Sequence, residues 1–195
     1  IERDASNFSA YFGKYEVLVA KGENEKAAEV LNRAAGIKIT DAQSGYNAGI
    51  LEYLRGNNDK AKEYLNTAYT KGILESSYYL AKIAMDEGDY QGARELFEKY
   101  AQDKGRVTLS GWYDGMADCL MKEEKYQEAL ACVAKGLALE DISAMKQLMQ
   151  KKVVLNEKLT DYNKAYEAAL EYGKLYPEDK EMAREITFLS TRKSK

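Results

Sequence analysis

The chain has 195 residues, with 29 basic and 32 acidic side chains and a net charge of −3 at pH 7. The absence of a net positive charge argues against binding to a nucleic-acid backbone, and the absence of histidine removes the commonest general base and metal ligand. No apolar run approaches the ~20 residues of a membrane-spanning helix. We therefore expect neither a membrane span nor a bound metal or other cofactor.

Five alanines recur along the chain in a common frame, at intervals of 34, 32, 36 and 36 residues: Ala27, Ala61, Ala93, Ala129 and Ala165. Each closes a short polar phrase, such as Gly88-Asp89-Tyr90-Gln91-Gly92-Ala93. A period near 34 residues indicates one helix pair per repeat. We predict a single domain over residues 1–195, with repeats at about 8–41, 42–73, 74–109, 110–145 and 146–177.

A tight turn is predicted between the two helices of each repeat. Gly22, Gly56 and Gly88 can adopt the left-handed conformation that ends the first helix. The free N–H groups that open the second helix are expected to donate to the side chains of four residues: Asn24, Asn58, Asp89 and Asp161. The alanine that follows is small because the first helix must approach it closely.

A buried stripe is predicted on each second helix, since apolar or small residues recur four and seven positions after the alanine. These residues are Leu31, Leu65, Phe97, Val133, Ala169, Ala34, Ala68, Tyr100, Gly136 and Tyr172. Twelve positions before the alanine, four of the five repeats carry a small or β-branched residue: Gly49, Ala81, Ala117 and Val153, with Tyr15 in the first repeat. After Pro177, Met182, Ile186 and Leu189 predict a terminal capping helix over 178–190, with Glu178 and Asp179 favouring its start.

These phrases resemble the tetratricopeptide repeat, and Gly88–Ala93 matches the centre of the family pattern almost letter for letter. Leu80-Ala81 and Met116-Ala117 stand where the family has Leu-Gly, and Pro177 stands at its closing proline. The resemblance implies an all-α fold, a right-handed superhelix of five helix pairs plus the capping helix.

Some residues depart from the family pattern. Lys14, Glu52 and Lys152 fall at positions where the family has core residues, so the first helix of repeats one, two and five is expected to be shifted or rotated. The segment Ala34-Ala35-Gly36 also resembles Sel1-like repeats.

The resemblance also implies a concave, peptide-binding surface formed by the first helices. Its candidate residues here are Phe12, Tyr46, Ile50, Tyr53, Tyr78, Lys82, Met85, Asp114, Asp118 and Met121. Exposed aromatic side chains supply binding energy at low entropic cost, although Tyr46 and Tyr53 have a core position as the alternative. Asp114 and Asp118 lie one helical turn apart and are expected to form a solvated acidic face; a catalytic or cation-binding pair is the alternative.

We therefore expect a non-catalytic module that binds a protein or peptide, with no catalytic residues. A structural or oligomerising adaptor in a larger assembly, for example at the cell envelope or as a homo-oligomer, is the alternative. A lone Lys82 does not make the carboxylate clamp of chaperone-binding relatives, so that role is not expected. Cys119 and Cys132 are expected to be semi-buried thiols, with a disulfide as the alternative.

The first residue, Ile1, is not a methionine, which indicates processing or cloning upstream. We expect a removed signal peptide or lipoprotein leader and a bacterial extracytoplasmic location. An arbitrary boundary and a cytoplasmic location are the alternatives.

Overall fold

The computed structural model describes residues 7–105 and 107–192, which form eleven α-helices and no β-strand. The helices are α1 (Phe8–Ala20), α2 (Asn24–Ala34), α3 (Ala42–Leu54), α4 (Asn58–Thr70), α5 (Ser76–Asp86), α6 (Tyr90–Lys104), α7 (Ser110–Lys122), α8 (Tyr126–Leu137), α9 (Met145–Lys158), α10 (Tyr162–Leu175) and α11 (Lys180–Arg192). The predicted all-α fold of five helix pairs followed by a terminal helix is confirmed.

The packing of the chain divides it into two compact units. Unit 1 contains the residues up to Gly88 together with Glu98–Lys104, and unit 2 contains Asp89–Phe97 together with the residues from Gly105 onward. Within unit 1, α1 packs on α2 and α3 on α4; within unit 2, α7 packs on α8 and α9 on α10. The assignment of one domain with the repeat bounds given above stays a prediction.

The five alanines, and the residues at fixed spacings from them, are the positions at which the helices pack against one another. All five alanines are at most 2% exposed, and all ten predicted stripe residues are buried. The small residues are required by close approach: a Cβ atom added at Gly136 would lie 2.7 Å from the Tyr113 Cβ. Side-chain volume at these positions is therefore set by the distance between neighbouring helices.

The turns between paired helices all contain a residue with positive φ. Gly22, Gly56 and Gly88 have φ values of 73°, 77° and 82°, as predicted, while Glu124 and Thr160 fill the same place in repeats four and five with φ values of 58° and 59°. In the turn after α1 the Glu23 N–H donates to the Leu18 carbonyl (2.9 Å), and three further turns repeat this bond. Such a bond closes the end of a helix around a left-handed residue.

Two of the four predicted N-terminal caps are confirmed. Asp89 accepts from the Gly92 N–H (2.9 Å), and Asp161 accepts from the Lys164 N–H (3.1 Å). The prediction for Asn24 and Asn58 is wrong, because each is the first residue of its helix rather than the residue before it. The residues that do precede α2 and α4 make no capping hydrogen bond through their side chains.

The expected shift of the first helix is absent from repeats two and five. Ten positions before the alanine, Leu51 and Leu155 are 2% and 0% exposed, like their counterparts in repeats three and four. The polar departures are accommodated by pairing instead: the buried Glu52 carboxylate accepts from Arg55 (2.8 Å) and from the Asn57 side chain (2.6 Å). Lys152 donates to Glu171 (2.8 Å) at the surface.

Repeat one differs from the others. Lys14 is exposed there, and Val17, ten positions before Ala27, is 53% exposed. The helix α1 instead buries Phe8 and Tyr11 against a core cluster of unit 1.

The terminal helix α11 caps α10 as predicted. Met182 and Leu189 are buried, and Ile186 packs against the same core cluster of unit 2. The Asp179 carboxylate accepts from the N–H groups of Glu181 (3.2 Å) and Met182 (3.1 Å), and it also accepts from the buried Tyr172 hydroxyl (2.6 Å). Asp179 thereby joins the start of α11 to the core of the preceding repeat.

Candidate functional site

Four half-buried tyrosines from α3 and α5 lie together in unit 1. Tyr46 and Tyr53 are seven residues apart, which places them on one face of α3. The Tyr79 ring is central, with its centroid 5.9 Å from Tyr46, 6.0 Å from Tyr53 and 5.2 Å from Tyr78, each pair edge to face. This is the geometry that aromatic quadrupoles favour. We call Tyr46, Tyr53, Tyr78 and Tyr79 the tyrosine cage.

A lysine of the same unit lies over this cage. The Lys82 Nζ is 5.3 Å from the ring centroid of Tyr53, 5.8 Å from that of Tyr78 and 6.0 Å from that of Tyr79. Tyr78 and Tyr79 precede Lys82 by one helical turn on α5, whereas Tyr53 comes from α3. The negative faces of aromatic rings attract a cation at these distances. The tyrosine cage therefore binds a cation within the chain itself.

Acidic side chains act on the hydroxyl groups of the cage. Burial raises the pKa of Tyr53, and the charge of Asp86 together with its hydrogen bond to the Tyr53 hydroxyl raises the pKa further. Burial likewise raises the pKa of Tyr79, with Glu16 of α1 as the next contribution. Glu16 and Asp86 are both exposed to solvent. The cage thus presents neutral hydroxyl groups in a negative electrostatic field.

The other predicted site residues of unit 1 have different environments. Phe12 is half-buried, with its ring 5.9 Å from that of Phe8, and packs against the core cluster of α1 to α3. Met85 is half-buried. Ile50 is only 7% exposed, so it is a core residue and not part of the surface.

In unit 2, the predicted solvated acidic face is wrong. The Lys151 Nζ of α9 lies 2.6 Å from the Asp114 Oδ1 and 3.2 Å from the Asp118 Oδ1, and the Lys151 side chain is only 15% exposed. Burial raises the pKa of Asp118, and the Lys151 charge opposes that rise. The two carboxylates are already paired, so they offer less attraction to an incoming cation than the sequence indicates. Met121 is half-buried in the same unit.

The two cysteines are free, buried thiols, so the disulfide alternative is wrong. Burial raises the pKa of both Cys119 and Cys132 to about 12, which disfavours the reactive thiolate. In the part of the chain that the structure describes, no group of three or more Cys, Asp or Glu side chains could hold a metal ion. None of the helices formed by residues 7–105 and 107–192 is sufficiently long and apolar to cross a membrane.

The sequence reasoning missed two residues of these sites, Tyr79 and Lys151. Both lie fourteen positions before the alanine of their repeat, a position that the family pattern does not assign to the concave surface. Tyr79 contacts Tyr46, and Lys151 contacts Asp114; each partner occupies the same position, fifteen before the alanine, in the preceding repeat. Matching the residue fifteen before the alanine in one repeat with the residue fourteen before the alanine in the next repeat would have found both Tyr79 and Lys151.

Comparison with known proteins identifies the repeat. Two family models, both described as tetratricopeptide repeat, match residues 84–151 and 46–106. Together they span more than half of the chain, and the matched residues contain the second, third and fourth alanine phrases. The chain belongs to the tetratricopeptide-repeat family. No curated protein matches it by sequence.

Solved structures show the same fold at low identity. A chain of the APC/C hetero-tetramer Cut9–Hcn1 is 16% identical with a TM-score of 0.72, over 95% of this chain and 36% of that one. This chain thus spans about a third of it. The thermophilic protein TTC0263 of Thermus thermophilus is 14% identical with a TM-score of 0.69, over 95% of this chain and 100% of that one.

A third structure is YrrB, a tetratricopeptide-repeat protein with an unusual peptide-binding site. It is 16% identical with a TM-score of 0.61, over 95% of this chain and 94% of that one. At such identities these likenesses establish the fold alone.

Proposed function

We propose that the chain is a non-catalytic module that binds a protein or peptide segment through the tyrosine cage. The observation that carries this proposal is the edge-to-face packing of four half-buried tyrosines from two first helices. Rigid aromatic side chains give large contact area while losing little rotamer freedom on binding. Tetratricopeptide-repeat proteins generally mediate protein–protein contacts, and the description of YrrB as having a peptide-binding site is in keeping with this role.

The chemistry of the described residues favours binding over catalysis. Histidine is absent from the sequence, burial raises the pKa of both thiols, and Lys151 forms ion pairs with both Asp114 and Asp118. In unit 1, Phe12 and Met85 stay proposed contacts of a bound segment. In unit 2, Asp114, Asp118 and Met121 stay proposed contacts of a bound segment, with Lys151 modulating the two carboxylates.

The test is a comparison of cage variants against a matched tyrosine elsewhere in unit 1. Tyr78→Ala and Tyr79→Ala should each weaken binding of a partner captured from the native source by about 1–3 kcal/mol. Tyr69→Ala is the control, because Tyr69 on α4 also has a lysine over its ring, with the Lys99 Nζ 4.3 Å from the centroid. Equal loss of binding in the Tyr69 variant and the cage variants would contradict the proposal.

A second candidate function, an oligomerising or structural adaptor, is favoured by α1. Ten positions before the alanine, the residues of repeats two to five are at most 2% exposed, whereas Val17 in repeat one is 53% exposed. In repeats two to five the side chain ten positions before the alanine is thus covered by the rest of the protein, whereas Val17 is not. For an adaptor, the mass in solution should be a multiple of 22.0 kDa, and Val17→Asp should restore the monomer. A monomeric wild-type chain would contradict self-association.

A further inference from the structure

The geometry and charge of the tyrosine cage indicate which kind of side chain the partner would place there. We infer that the cage is a receptor for a cationic side chain of the partner segment, preferably arginine, and that Lys82 is an internal cation that occupies the receptor until the partner displaces it. This inference rests on the proposed function, because it specifies the chemistry of the segment that the cage binds.

The first support is the occupancy of the cage by a cation. The Lys82 Nζ lies within 6.0 Å of three ring centroids contributed by two helices. Rings that converge on one point make a site for a cation and not only an apolar patch. A guanidinium group is less strongly hydrated than an ammonium group and stacks on aromatic faces. Arginine is therefore the side chain most suited to replace Lys82.

The second support is the sign of the surrounding charge. Glu16 and Asp86 are exposed. The charge of Glu16 contributes to the raised pKa of Tyr79, and the charge of Asp86 contributes to the raised pKa of Tyr53. The same field that disfavours a tyrosinate favours an added cation. An acidic segment would instead meet these two carboxylates as like charges.

The third support is the position of Lys82 on α5. Lys82 is half-buried, and its ammonium group ends a flexible four-carbon side chain. This group can therefore move into water without rearrangement of the helix. Asp86 follows it by four residues on the same helix, a spacing at which a displaced lysine can pair with a carboxylate. The incoming guanidinium would restore the cation–π contacts that the displaced ammonium group gives up.

The experiment uses the full chain and a random dodecapeptide display library as the probe. Peptides retained by the wild-type chain should be enriched in arginine or lysine, and enrichment in aspartate or glutamate would overturn the inference. The most enriched peptide is then synthesised, and its affinity is measured by fluorescence anisotropy for the wild type, Lys82→Met, Glu16→Gln and Tyr79→Leu. Thermal melting of each variant confirms that it is folded.

The direction of the Lys82 effect is the decisive result. Because methionine approximates the length of the side chain without its charge, Lys82→Met should tighten binding by about 5- to 10-fold, and Glu16→Gln should weaken it several-fold. Weaker or unchanged binding by Lys82→Met overturns the inference.

The Tyr79 variant separates the two proposals. If Tyr79→Leu loses affinity while Lys82→Met also loses it, the cage binds the segment but through an anion, and only the inference fails. If no peptide is retained, or if Tyr79→Leu binds like the wild type, the proposed function fails and the inference fails with it.

Discussion

Gly49 on α3 faces Leu65 on α4 so closely that a Cβ atom at Gly49 would lie 2.7 Å from the Leu65 Cγ. Gly49 is the residue twelve positions before Ala61, and Leu65 is four after it, so the contact follows directly from the repeat frame. Leu65 is fully buried, and close-packed interiors leave such a side chain little room to move. The absence of a side chain at Gly49 is thus a packing requirement between paired helices.

Gly49→Ala should destabilise the chain by about 1–3 kcal/mol, because the added methyl group forces α3 away from α4. Gly13→Ala is the matched control, since Gly13 is also helical but has no atom within 4 Å of the added Cβ. That control should be neutral or stabilising by up to ~1 kcal/mol through helix propensity. Chemical denaturation measures both, and equal effects of the two substitutions would contradict the assigned packing.

Lys151→Met should destabilise unit 2 by about 1–2 kcal/mol at pH 7, because it leaves Asp114 and Asp118 as half-buried like charges. The loss should be smaller at pH 4, since protonation of Asp118, whose pKa is already raised, removes the repulsion. Lys152→Met is the control: its ion pair with Glu171 is at the surface and should be worth at most about 0.5 kcal/mol. A loss independent of pH would contradict the pairing.

Glu157→Gln should stabilise the chain above neutral pH. Burial and the neighbouring Glu185 together raise the pKa of Glu157 to about 7, and burial makes the larger contribution. A carboxyl group with a raised pKa in the folded state destabilises the fold once it ionises, so the penalty is absent below about pH 4.5 and complete above pH 7.

Glutamine imitates the protonated acid, and its amide can donate to the Glu185 Oε1, which is buried without a hydrogen-bond partner. Because both side chains are half-buried and water screens their repulsion, we expect about 1 kcal/mol at pH 8. The melting temperatures of the wild type and the variant should converge between pH 8 and pH 4.5. A constant difference across this range would show that Glu157 does not titrate as described.

Asp141→Ala should destabilise unit 2 by about 1–2 kcal/mol, the usual cost of a lost helix cap. The Asp141 carboxylate accepts from the Ser110 N–H (2.6 Å) and hydroxyl (2.9 Å), and from the Ser143 N–H (2.9 Å). It therefore caps α7 from the loop that follows α8. Glu140→Ala, one residue earlier and exposed, is the control and should change the melting temperature little. A similar loss for both substitutions would contradict the cap.

The repeat frame was readable from the sequence because it depends on contacts within one helix pair. The small residue lies twelve positions before the alanine, and the stripe residues lie four and seven positions after it. Periodicity alone therefore predicted that Ala93, Phe97 and Ala81 are buried. The same reasoning placed the left-handed turns at glycines. It overlooked Glu124 and Thr160 as left-handed residues, because their side chains do not indicate that conformation.

The sites depended on contacts between consecutive repeats, which only the tertiary structure decided. The sequence indicated that Tyr46, Tyr53, Tyr78 and Lys82 share a surface, but it did not show that Tyr79 joins them or that Lys82 lies over their rings. It also assigned Asp114 and Asp118 to solvent, because Lys151, which pairs with both, lies on another helix and is 37 residues from Asp114 in sequence. A spacing pattern specifies which face of a helix is buried, whereas the partner of a charged side chain depends on the helix that packs beside it.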